Sequence, residues 1–339
     1  MHIKQLQKIL QKRHLDVALI FSKDPSFFYF VQEESSGALL VFPFEEPLLC
    51  INKIEEVATK INTFFCSDYR VHLKQILLEK QIKKIGLNYF SESINTFNEF
   101  KLSYELTDIS ENLFFMRKTK NSYELSCIKK ACKKTEQILS KIINNFTFKS
   151  EGEIKRFIKI EAIKNNCELS FEPIVASGAN AQIPHYKKST KLNKGFLIID
   201  LGLKYKGYCS DITRTFYLGV PSVKEKQLYE TILKIQKKII KSIKPGIKTA
   251  DLEKKARVMM KSDSKYFVHN LGHGLGVEIH ELPRLNLKSD DILRTGMIIT
   301  IEPGYYNTQG IRIEDDVLVT NNGAQLLTMF PKKLKVLSY

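Results

Sequence analysis

Residues 195–214 read GFLIIDLGLKYKGYCSDITR. The apolar run 195–200 predicts a buried strand that ends on Asp200. Gly202 and Gly207 then bracket a short polar turn, Lys204-Tyr205-Lys206, and Asp211 lies on the returning arm. A hairpin of this size sets its arms side by side, so the two carboxylates can face one point. Two buried carboxylates repel each other and are costly to dehydrate. A cation, or a pair of cations, between them relieves both penalties. The rest of the chain is therefore read as a search for further ligands.

Around this hairpin the second half has a regular layout. Apolar positions at helical spacing predict a helix over 122–143, and Ser150 with Glu153 resembles the start of another, reaching about 165. FEPIVASG (171–178) is a strand candidate. After the hairpin come helices over 222–243 and 249–263, separated by Pro245-Gly246, and strands at 297–306, 310–320 and 324–329. Two helices and a hairpin, then two helices and a hairpin, suggest a repeated layout without residue-by-residue similarity. The first half alternates helix (3–13), strands (16–21, 38–42, 47–51), helix-like runs (53–62, 72–81) and strands (83–89, 104–110), which predicts an α/β domain. Residues 113–121 read as a basic, polar connection, so domains 1–115 and 116–339 are expected.

Four of the seven histidines fall in the second half: His185, His269, His273 and His280. Glu302 precedes a Pro-Gly break in one apolar strand, and Glu314 interrupts another. A carboxylate pair on each of two hairpins, plus an imidazole, is a hard, oxygen-rich set with room for two divalent ions. Such a pair of ions activates a shared water for hydrolysis of a carbonyl or phosphoryl group. Each piece alone has an ordinary reading: a strand Asp as a turn residue, GHGLG (272–276) as a glycine-rich turn, Arg312 beside Glu314 as an ion pair. The order and spacing of all of them carries the argument.

Composition sets the frame. The 339 residues are 43% hydrophobic and 27% charged, ordinary for a globular chain, and no apolar run approaches the about 20 residues that span a bilayer. No secretion signal is expected in the charged segment 1–14. The six cysteines form no CxxC pair, which predicts reduced thiols and a cytoplasmic setting. Net charge is +16, but the lysines are scattered, so a general compositional bias is weighted above a nucleic-acid partner.

FEPIVASGANAQIPHY (171–186), DLGLKYKGYCSDITRTF (200–216), VHNLGHGLGVEIHELP (268–283), TIEPGYY (300–306) and GIRIEDDVLVT (310–320) resemble, in order, the motif series of the pita-bread metallopeptidases, in their proline-specific branch. The resemblance implies an α+β fold: a C-terminal pita-bread (creatinase/aminopeptidase-like) catalytic domain behind a smaller α/β creatinase-type N-terminal domain. It implies metal ligands Asp200, Asp211, His273, Glu302 and Glu314, holding two divalent ions, Mn2+ first, with Co2+, Zn2+ or Fe2+ as alternatives. The implied activity is hydrolysis of the Xaa-Pro bond, in dipeptides or at the N-terminus of peptides, by a metal-bridging hydroxide. Catalytic roles fall to His185, His280 and Glu302, with Glu302 also shuttling the proton. Substrate contacts fall to His185, His269, His280 and Arg312, and Arg312 is further expected to orient Glu314. The implied partner is a proline-containing peptide, with a homodimer as the assembly and no membrane. A methionine aminopeptidase-type activity and a non-catalytic nucleic-acid- or protein-binding relative are the alternatives. Two departures, Tyr186 in PHY and Leu282 in HELP, are expected to alter the substrate pocket.

Overall fold

Helices and strands alternate through the first unit and give way to two helix-on-sheet layers in the second. The computed structural model describes residues 2–338. The chain divides into two compact units, Met1–Arg117 and Lys118–Tyr339.

In the first unit, six strands form a mixed sheet in the order Asn62–Cys66, Leu48–Asn52, Gly37–Val41, Val17–Phe21, Lys84–Leu87, Glu105–Asp108. Its core joins Val17, Leu19, Leu40 and Ile85 to Leu73 and Leu77 of helix Tyr69–Glu79. Two expectations fail here, over 53–62 and 113–121, and the helix Pro25–Val31 has no counterpart in the sequence reading. Residues 53–62 form no helix, and the chain runs irregularly into the edge strand Asn62–Cys66. Their apolar residues have helical spacing but do not share one buried face: Ile54 is 91% exposed, while Val57 and Ile61 are half-buried. Pro25–Val31 is a helix, because Asp24 caps it by accepting from the Ser26 amide and Pro25 occupies the first turn. The expected connection at 113–121 is largely the helix Ser110–Arg117, which buries Leu113 and Met116.

In the second unit, helices Ser122–Asn144 and Glu151–Lys164 pack Ile138, Leu139, Ile142, Ile154 and Ile158 against the paired strands Gly195–Leu201 and Ile212–Leu218. Helices Val223–Ile240 and Thr249–Met260 pack Ile232, Ile235, Ile239 and Leu252 against a second antiparallel sheet. That sheet runs Glu281–Leu285, Gly272–Gly274, Ile298–Ile301, Asp315–Thr320, Gly323–Leu326. Asn121 with Glu124, and Ser222 with Glu225, form reciprocal capping boxes that start their helices. Each fully buried isoleucine contributes about 1.5–3 kcal/mol, so these two layers make a stiff frame for whatever lies between their sheets.

The opening hairpin is less simple than its spacing suggests. Its tip leaves the ladder: Leu203–Tyr205 pairs with Tyr208–Cys209 and with Glu168–Leu169 in a separate three-stranded sheet. The main ladder starts again at Ile212 opposite Leu201, with Thr213 opposite Asp200.

Candidate metal centre

Asp200 is the last residue but one of its strand and Asp211 immediately precedes the return strand, so the two flank the first ladder pair from opposite arms. The Asp211 amide donates to Asp316 Oδ2 at 2.9 Å, which fixes the backbone of the turn. Both side chains are buried, at 7% and 5% exposed, and Oδ1 of each has no hydrogen-bond partner. A buried carboxylate oxygen without a donor is costly, and a cation is the natural partner for two of them.

His273 enters from the strand Gly272–Gly274. Its flanking glycines are required by close approach: a Cβ on Gly272 would lie 2.0 Å from the Thr300 carbonyl oxygen, and one on Gly274 would lie 2.3 Å from that of Leu282. His273 Nδ1 sits 3.1 Å from the Gly274 carbonyl, an acceptor, so the ring proton is on Nδ1 and Nε2 keeps its lone pair. Nε2 lies 3.7 Å from Asp211 Oδ2 and 3.6 Å from Glu302 Oε1. Burial and His280 pull the His273 pKa down to about 3, so the ring is neutral, the form that ligates a metal.

Glu302 and Glu314 sit where the chain passes from one ladder to another. Ile301 pairs with Asp315 in the five-stranded sheet, and Gly304 pairs with Arg312 in a separate hairpin. The two glutamates lie in the gap, where the backbone is free of ladder bonds. Ligand atoms of Asp211, His273 and Glu314 all come within 4.8 Å of one another. Burial, with repulsion from Glu314 and Asp200, raises the Asp211 pKa well above the carboxylate range. Burial and Glu314 do the same to Glu302, and burial and Asp200 push Glu314 up to about 8. The donor set therefore fits divalent ions: hard oxygens crowded together, two of them orphaned, beside a neutral imidazole.

A hydrogen-bonded chain supports the cluster. Arg312, only 3% exposed, donates from Nη2 to Asp200 Oδ2 at 2.6 Å. It reaches Glu314 only through Thr213, whose Oγ1 accepts from Arg312 Nε at 3.1 Å and donates to Glu314 Oε2 at 2.7 Å. Arg312 is thus linked to Glu314 through Thr213, as expected of an orienting group, and is bonded directly to Asp200 as well. Arg312 Nη1 also donates to the Tyr306 hydroxyl at 2.7 Å, which lies 3.0 Å from His269 Nε2. His269 Nδ1 lies 2.8 Å from the Asn270 carbonyl, so Nδ1 carries the proton and Tyr306 donates to Nε2. Sequence reasoning misses Thr213 and Tyr306. The one available signal for Thr213 is a run of polar residues, Thr213-Arg214-Thr215, inside a strand that is buried throughout.

The remaining histidines border the cluster. His269 Nδ1 is 3.7 Å from Glu302 Oε2. The exposed His280 packs edge-on against His273, with ring centroids 4.4 Å apart. Burial lowers the pKa values of His269 and His280, and the exposed His185 nearby adds to the lowering of both. Tyr186 departs from expectation: it is 6% exposed and packs with Ala176, Ala181, Ile198 and Tyr306 in a small core cluster. Leu282 is half-buried in the strand Glu281–Leu285.

The turn that delivers His280 is held by a buried ion pair. Lys120 Nζ lies 3.0 Å from Glu281 Oε2, both side chains 2% exposed, and Glu281 Oε1 accepts from the Val277 and Glu278 amides. Lys120→Ala is expected to lower unfolding stability by about 3–5 kcal/mol, because it removes one member of a buried ion pair; urea unfolding measures it.

Fold and site together define a metal-dependent hydrolase with a carboxylate-rich centre between two helix-backed sheets. The model of metallopeptidase family M24 matches residues 126–321. The Xaa-Pro dipeptidase of Pyrococcus horikoshii is 33% identical over 98% of both chains. Among solved structures, the prolidase from Pyrococcus horikoshii OT3 superposes with TM-score 0.92 at 32% identity, covering 98% of this chain and 99% of that one. The X-Pro aminopeptidase from Thermotoga maritima superposes with TM-score 0.89 at 28% identity, covering 96% and 98%. The chain belongs to metallopeptidase family M24, and its C-terminal half has the pita-bread fold.

Proposed function

We propose that this protein hydrolyses the peptide bond before proline, in Xaa-Pro dipeptides or at the N-terminus of longer peptides. The observation that carries the reading is the pair of orphaned oxygens on Asp200 and Asp211 beside the neutral Nε2 of His273. Full-length similarity to an Xaa-Pro dipeptidase supports the substrate class. Asp200, Asp211, His273, Glu302 and Glu314 would hold two divalent ions, manganese by the hardness of the set. When bound, such ions supply Lewis acidity and lower the pKa of a water.

The chain's own groups do the rest. Glu302 takes the proton of the attacking water and returns it to the leaving proline nitrogen. His280 and His185, both exposed beside the cluster, donate to the developing oxyanion. Arg312 holds Asp200 and, through Thr213, Glu314 in place. Proline presents no amide hydrogen and a fixed ring, so His185 and His269 at the site's edge select by shape.

Six free cysteines are consistent with a cytoplasmic setting, and among the described residues no helix is long and apolar enough to cross a membrane. A homodimer is part of the same reading; sedimentation would measure it. The enzyme test uses chelator-stripped protein with manganese restored, assayed on Xaa-Pro, Xaa-Pro-Xaa and Met-Ala. Metal-dependent cleavage of a proline substrate is expected. Cleavage of Met-Ala alone, or of none, overturns the reading.

A further inference from the structure

Glu151 is fully buried in the first turn of helix Glu151–Lys164, yet the chemistry above does not use it. Its Oε1 accepts from the Ser177 amide at 2.8 Å, the Ser177 hydroxyl at 2.9 Å and Asn180 Nδ2 at 2.9 Å. Its Oε2 accepts from the Thr190 amide at 2.9 Å and the Thr190 hydroxyl at 3.3 Å. The Glu151 amide itself donates to the Thr190 carbonyl at 3.0 Å. One carboxylate thus ties together both ends of the segment 178–190, which carries His185.

The middle of that segment is held as well. Tyr186 is 6% exposed, among Ala176, Ala181, Ile198 and Tyr306. Lys155, one turn along the same helix, donates from Nζ to the carbonyls of Lys187 at 3.3 Å and Lys188 at 3.0 Å, and lies 5.8 Å from the Tyr186 ring centre. On the other side of His185, the Pro184 carbonyl accepts from Arg312 Nη1 at 3.1 Å. His185 is therefore an exposed side chain between two fixed neighbours.

We propose that Glu151, Tyr186 and Lys155 form a clamp that fixes the His185 segment against the metal-site frame, which makes Glu151 and Tyr186 positioning residues for the reaction. The inference rests on the assignment of His185 to the substrate site. An unclamped polar loop would spread His185 over many conformers, and a catalytic group displaced by about 1 Å can lose up to about a hundredfold in rate. Glu151→Gln keeps the shape but turns one acceptor into a donor that faces donors, so it weakens the clamp without opening a cavity.

The test is a double-mutant cycle on full-length, manganese-loaded protein. Tyr186→Ala, Tyr186→Phe and Glu151→Gln are each made alone and with His185→Ala. Tyr186→Ala is expected to lower kcat/KM for an Xaa-Pro dipeptide by about tenfold alone and by less than about twofold when His185 is already Ala. Tyr186→Phe keeps the buried ring but removes the hydroxyl that faces Glu151 and Thr190, so its loss is expected to be smaller than that of Tyr186→Ala and likewise to vanish when His185 is Ala. Hydrogen exchange on metal-free protein gives a readout independent of turnover. Residues 183–190 should exchange about tenfold faster in Tyr186→Ala, while Gly195–Leu201 stays protected. Glu151→Gln carries the same comparisons if Tyr186→Ala does not fold. Equal activity losses in both backgrounds, or unchanged exchange of 183–190, overturn the clamp. A wild type that cleaves no proline substrate would instead overturn the assignment of function, and the exchange measurement would still judge the clamp.

Discussion

Asp211→Ala is expected to lower kcat/KM for an Xaa-Pro dipeptide by about a thousandfold or more, equivalent to about 4 kcal/mol of barrier, and to cut the manganese retained after gel filtration. Asp211 offers a ligand atom within 4.8 Å of those of His273 and Glu314, and its Oδ1 has no protein partner to lose. Glu314→Ala should behave alike, because Glu314 Oε2 is already positioned by Thr213. A folding defect is separable from a ligand defect. Metal-free Asp211→Asn should unfold at a higher temperature than metal-free wild type, since it removes one of several mutually repelling buried carboxylates. A metal-free Asn variant less stable than wild type would contradict that account of the site's electrostatics. Full activity in Asp211→Ala would remove Asp211 from the ligand set.

The second large effect is the pH dependence of metal-free stability. Burial and Asp200 push Glu314 up to about 8, and Asp211 and Glu302 are raised in the same direction. A carboxylate whose folded pKa exceeds its unfolded value binds more protons folded than unfolded between the two. Its contribution to stability is full below the unfolded pKa and is lost as pH rises through the folded one. Metal-free protein should therefore lose stability between about pH 4.5 and pH 8, with a Tm lower by about 5 °C or more at the upper end. Manganese should restore most at the upper end, where the ligands ionise readily. Scanning calorimetry at several pH values, with and without manganese, measures both. A metal-free Tm that rises across this window would contradict the raised carboxylate pKa values.

Much of the candidate site is legible in the chain because the ligation proposed for it would constrain residue type. An Asp that closes an apolar run, an Asp on the return arm, and a Glu before Pro-Gly cannot be explained by packing, so Asp200, Asp211 and Glu302 stand out. The supporting groups are hidden for the opposite reason. Thr213 and Tyr306 have the β-branched and aromatic character that any strand favours, and only three-dimensional pairing gives their hydroxyls a task. Arg312 stands beside Glu314 in sequence but meets Asp200 across the sheets, a contact that spacing cannot show. Tyr186 looks like a pocket residue because it follows His185, whereas its ring completes a core cluster. In the fold, the strands Gly272–Gly274 and Glu281–Leu285 escape a periodicity reading because they are short and carry glycine or proline. The segment 53–62 misleads in the other direction: helical spacing without one shared buried face makes no helix.

The central claim is that five side chains converge to hold two ions. Anomalous diffraction at the manganese edge, on crystals grown with manganese, tests it directly. The account predicts two peaks bounded by Asp200, Asp211, His273, Glu302 and Glu314. No peak there, or manganese bound elsewhere while these side chains remain without it, would contradict it.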